Sequence, residues 1–113
     1  MHDDDSGKPK PLAVGLIHRS GRTQDQIDRL KGDIAMKALA EGYALLFTYE
    51  AGDEDYETTL NKLLVSVRMA REKQELAKVI YLPSRADLGK DDSLQLYRRE
   101  TFDQNELQVE LLK

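Results

Sequence analysis

The chain has 113 residues, of which 40% are apolar and 34% charged, with a net charge of −4 and no cysteine. This length accommodates one domain with a single modest core, and the lack of cysteine excludes disulfides, thiolate metal sites and cysteine nucleophiles. The acidic balance, with an isoelectric point near 5.2, opposes free nucleic acid, because affinity for phosphates comes from Lys and Arg; DNA binding by this chain alone is expected to be weak.

No apolar run approaches the ~20 residues that cross a bilayer, so no membrane partner is expected. Residues 1–11, "MHDDDSGKPKP", lack a signal-peptide core and read as a disordered tail, which makes a cytoplasmic location the expectation. "LAVGLI" (12–17) is a continuous apolar run bounded by Pro9 and Pro11, the pattern of a strand buried on both faces of a parallel sheet. Thr23 to Glu41 then follows helical spacing through Ile27, Leu30, Ile34 and Ala38 or Leu39, with Gly42 placed to end it. "YALLFTY" (43–49) is a second strand.

The acidic loop "EAGDEDYE" follows. Asp53, Asp55 and Glu57 alternate as in a calcium loop, but the central glycine and distant glutamate of that motif are missing, and no metal site is expected. A long helix from about Asp55 to Leu76 carries Leu60, Leu63, Leu64, Val67 and Ala70 on one face, and "KVIYLP" (78–83) is a third strand. Arg68, Arg71 and Lys73, like Arg98 and Arg99, read as solvated charged faces. In the last twenty residues "SLQLYRR" and "ELQVELL" both alternate apolar with polar around "TFDQN", which fits a hairpin or a short helix followed by an edge strand.

The strand–helix–strand–helix–strand order predicts an α/β fold. It is a small three-layer sandwich on a mainly parallel sheet with right-handed crossovers. The α/β domain is expected over 12–92. Residues 93–113 would pack on it or on a partner, because Tyr97, Phe102, Leu107, Val109 and Leu111 either complete the core or drive self-association.

Ligands of open parallel sheets sit at the carboxyl ends of the strands. The loops there are "HRSGRTQ", "EAGDED" and "SRADLGKD". The first and third bring one hydroxyl, Ser20, and the cations Arg19, Arg22, Arg85 and Lys90, which are the candidate anion or phosphate ligands. With only Gly21 in the first loop, no phosphate-cradling glycine pattern is present, and no cofactor is expected.

From Leu12 to Asp91 the chain resembles the catalytic domain of the serine recombinases, the resolvase/invertase family. The marks are a first strand leading to Ser20 with Gln24, Gln26 and Leu30 after it, "FTYEAG" (47–52) at the second strand exit, and "VIYLPSRADLGKD" (79–91) at the third. The resemblance implies a resolvase-like sheet. It also implies Ser20 as the candidate catalytic nucleophile, attacking a DNA phosphodiester to form a phosphoserine link. Such a transition state needs fixed cations, arginine above all. The family's pattern has arginine where this chain has His18, Asp-Arg where it has Ala86-Asp87, arginine at Lys90, and arginine near Glu57 at the start of the long helix. The family's dimerisation helix and helix-turn-helix have no counterpart after Asp91. The expectation is therefore a catalytically inactive, resolvase-like domain that binds a protein partner or itself in regulation, with Ser20 a turn hydroxyl or helix cap. The competing expectations are an active recombinase subunit and a flavodoxin-like phosphate- or nucleotide-binding domain.

Overall fold

A computed structural model of the chain describes residues 11–73 and 77–113; the tail expected over 1–11 lies, up to Lys10, outside the described residues. Four strands, β1 (Leu12–His18), β2 (Ala44–Ala51), β3 (Ala77–Leu82) and β4 (Gln108–Leu111), form one parallel sheet in the order β2-β1-β3-β4. Three helices connect them: α1 (Gln24–Ala40), α2 (Tyr56–Glu72) and α3 (Asp92–Gln104). This is the α/β sandwich the apolar pattern predicts. The end expected at Leu76 for α2 falls among residues that are not described; the helix observed ends at Glu72.

The central strand β1 is buried from Ala13 to Ile17, so both its faces meet apolar layers. On one face Ala13, Ile17, Val79 and Tyr81 pack under Ile27, Ile34 and Ala38 of α1. On the other, Val14, Leu16, Ile80 and Leu82 meet Leu60, Leu63 and Val67 of α2 and Phe102 of α3. Removing those surfaces from water, at roughly 25 cal/mol per Å², is the main stabilisation of the sheet.

Both ends of α1 are set by local chemistry. Thr23 and Gln26 form a reciprocal capping box, Gln26 N–H donating to Thr23 Oγ1 at 3.2 Å and Thr23 N–H to Gln26 Oε1 at 2.8 Å. Gly42, at φ 86°, turns the chain so that Tyr43 N–H reaches back to the Ala38 carbonyl at 2.9 Å, a turn most side chains resist. Gly15 has a different role. A Cβ there would lie 2.7 Å from Thr48 Oγ1 and 3.2 Å from Ile34 Cγ2, so the missing side chain lets α1 sit close on the sheet.

The carboxyl-terminal segment takes the helix-plus-strand form, and no hairpin is present. Leu94, Arg98 and Phe102 repeat every four residues on the inward side of α3, and Arg98 and Phe102 are buried. The charge at the middle position disguises the helical period as alternation. Asp91 caps the helix through Leu94 N–H at 2.8 Å. "ELQVELL" is read correctly: Leu107 and Val109 are buried and Gln108 is exposed. Of the five apolar residues that could have served an interface, Phe102, Leu107 and Val109 are spent on this domain's own core, Leu111 is half-buried, and only Tyr97 is exposed.

Gly15→Ala is expected to lower stability by about 1–3 kcal/mol, the usual effect of overpacking. Urea unfolding measures it, and an unchanged midpoint would mean that α1 does not depend on this close approach.

Candidate functional site

The site lies where β1, β2 and β3 end. β1 sits between β2 and β3, so the strand order reverses beside it, and doubly wound sheets keep their ligand crevice at such a point. Here the crevice floor is occupied by a side chain. Asp87, fully buried, sits on a single 3-10 turn, Arg85–Asp87, after β3. Its Oδ1 accepts from His18 N–H at 2.8 Å and Arg22 Nη1 at 2.5 Å. Its Oδ2 accepts from Arg22 Nη2 at 3.2 Å, Ser84 N–H at 3.1 Å and Ser84 Oγ at 3.0 Å. Arg22 also donates to the His18 carbonyl at 2.8 Å. The pair thus continues the β1 ladder past its last residue, satisfying main-chain groups that would otherwise be buried without partners.

Two of the other three predicted cations are also taken. Arg19 pairs with Asp55 at 3.4 Å, and Arg85, two-thirds exposed, turns outward to Asp92 and Gln95. Asp55 itself accepts Gly52 N–H at 2.7 Å; that bond first, and Arg19 after it, holds its carboxyl below the usual range. The four cations singled out from sequence therefore do not gather around one point. Arg22 lines a separate groove with Leu30, Pro83 and Leu112, and Lys90 alone joins Ser20.

Ser20 stands in a turn closed by Arg22 N–H to the Arg19 carbonyl at 3.1 Å, with Gly21 at φ 75°. It is a turn hydroxyl; the helix cap is Thr23. Gln24, one of the marks of the recombinase resemblance, spends its amide on Asp28 at 2.9 Å within α1. Ser20 Oγ donates to Asp53 Oδ2 at 3.3 Å, and His18 Nε2 lies 2.8 Å from Asp53 Oδ1. The carboxylate stands between the other two groups, so the histidine does not contact the serine as a base would in a nucleophilic triad. The Asp53 side chain itself is 79% exposed.

A cavity of about 630 Å³ opens above this turn between β1, α2 and α3, lined by His18, Ser20, Asp53, Tyr56, Lys90 and Arg98 among others. Arg98 is the residue the sequence did not announce. It is no solvated face: its guanidinium lies 3.8 Å over the Tyr56 ring and donates to the Leu88 carbonyl at 2.8 Å and to Glu57 at 3.3 Å. Its place between Leu94 and Phe102 in the four-residue spacing was the available signal. Arg71 likewise leaves the basic face expected of it, donating to the Ala77 carbonyl at 3.1 Å and pairing loosely with Glu106. Tyr56 donates to the Asp87 carbonyl at 2.5 Å, and burial pushes its phenol well up from 10.0, with Arg98 opposing. Asp87, too, had a signal: Ser84 and Asp87 have the Ser-x-x-acid spacing of a capping box.

No family model matches this chain, and neither a curated protein nor a solved structure is similar to it at a significant level.

Asp87→Ala is expected to cost about 3–5 kcal/mol, because it strands Arg22 and the ends of β1 and β3. Thermal and urea unfolding would show it; a loss under ~1 kcal/mol would mean that the carboxylate is not the tie.

Proposed function

We propose that this is a non-catalytic, resolvase-like α/β domain that acts by binding a protein partner in regulation. The observation that carries the reading is the pairing of every rim arginine with an acid: Arg19 with Asp55, Arg22 with Asp87, Arg85 with Asp92. A phosphoryl-transfer site needs guanidinium forks open toward the reacting phosphorus. Here the candidate hydroxyl instead donates to Asp53. A phosphodiester brought to Ser20 would meet that carboxylate at roughly 4 Å, a repulsion between about 1 and 4 kcal/mol depending on water access. A cation does stand by Glu57 at the start of α2, but it is Arg98 from α3, already bonded to Glu57 and to a main-chain carbonyl.

Incubated with supercoiled plasmid, the protein is expected to give no nicking and no covalent DNA adduct, with Ser20→Ala behaving identically. An adduct that disappears in Ser20→Ala would overturn the reading and restore the recombinase.

One observation favours a second reading. The strand order and the cavity at the β1–β3 reversal, with Ser20, Lys90 and Arg98 on its wall, are what a phosphate-binding doubly wound domain would offer. On that reading, inorganic phosphate shifts the amide resonances of Ser20, Gly89 and Lys90 saturably; an unmoved spectrum eliminates it.

A further inference from the structure

The two edges of the sheet are guarded differently. β4 is four residues long and includes Glu110. β2 is eight residues long, pairs only with β1, and has no charge or proline from Ala44 to Tyr49. Long edges without such features invite an added strand. Ala44 N–H bonds the Pro11 carbonyl and Arg19 N–H bonds the Ala51 carbonyl. Main-chain groups alternate sides along a strand, so those of Thr48 and Glu50 point away from β1.

Beside this edge the apolar surface continues onto α2. The strand bulges where Ala13 pairs with Leu45 and Val14 with Phe47, and the extra residue, Leu46, is thrown outward. Phe47 is 58% exposed and Met69 53%. Two adjoining grooves, about 280 and 600 Å³, run along α2 and share Tyr49 and Ser66. Phe47, Tyr49 and Met69 line these grooves, together with Val65. Among the described residues, their charged lining residues are Lys73 in one and Lys62 in the other, with no carboxylate in either. In a chain of net charge −4, an apolar cleft whose described charged lining is lysine alone is selective. A second copy of the chain would bring lysines against lysines, whereas acidic side chains complement them.

We infer that β2 and the α2 grooves form a docking site for an extended segment of a partner protein whose side chains on the one face turned toward α2, every second residue, are apolar at the centre and acidic at the two ends. The segment adds as a strand to the β2 edge: its main chain bonds Thr48 and Glu50, its apolar side chains enter the grooves, and its carboxylates meet Lys62 and Lys73. The inference rests on reading the domain as an interaction module. The nicking assay interrogates Ser20 and the experiment below interrogates β2, so the two failures are distinguishable.

The probe is the synthetic peptide Glu-Thr-Val-Thr-Val-Thr-Glu, which carries glutamate, valine, valine and glutamate on one strand face, titrated into the full chain and followed by amide shifts and hydrogen exchange; its lysine–valine counterpart has lysine in place of each glutamate. It is expected to perturb β2 and α2, to slow exchange at Thr48 and Glu50, and to bind roughly tenfold more tightly than its lysine–valine counterpart, given two exposed ion pairs. The double variant Lys62→Glu/Lys73→Glu alters only exposed side chains and is expected to reverse the preference with an unchanged circular dichroism spectrum. Equal affinity for the two peptides, or perturbation confined to β4, overturns the inference. So does slowed exchange at Thr48 and Glu50 that grows with protein concentration in the absence of peptide, which would give the edge to a second copy.

Discussion

The carboxylate of Asp87 ties together the end of the sheet from which every functional loop departs. It binds the last N–H of β1, the arginine that leads into α1 and the serine that leaves β3, while its own carbonyl receives the first side chain of α2. A buried carboxylate loses several kcal/mol of hydration, so it persists only where donors replace the water. Here the main chain supplies two of them and a guanidinium fork the strongest. The consequence for function is direct: the floor of the crevice at which doubly wound sheets hold ligands is occupied by the protein's own ion pair.

The same economy governs the rest of the rim. Each arginine that could have faced a phosphate faces an aspartate, 7 positions away for Arg85 and on another loop for Arg19 and Arg22. Rim charge is therefore converted into loop structure. The open cavity above Ser20 contains both signs, Lys90 and Arg98 against Asp53, a balance that favours no strongly charged ligand. What the fold leaves unsatisfied lies elsewhere, along β2, where main-chain groups and an apolar cleft face outward together.

Sequence pattern alone carried the first three strands and the two helices between them. β1 and β3 are runs of apolar residues buried on both sides, α1 and α2 have stripes at helical spacing, and Thr23 and Gly42 mark the ends of α1. These features are local: periodicity and capping act within a turn or two, so they can be read in order along the chain. α3 resisted because one core position of its stripe is an arginine, made tolerable there by Tyr56 and Glu57 at the start of α2 and by the Leu88 carbonyl, from two other places in the chain.

The site depended on tertiary structure for the same reason. Ser20, Arg19, Arg22, Arg85 and Lys90 were visible as residue types on converging loops, but which charge faces which is set by pairings across 36 and 65 positions, Arg19 with Asp55 and Arg22 with Asp87. The sequence by itself determined an α/β sandwich with polar loops at one end of a parallel sheet, because burial and helical period are written in neighbouring residues. Only the folded arrangement decided that those loops neutralise one another and that β2 is the exposed edge, because ion pairing and strand order join residues that the chain keeps far apart.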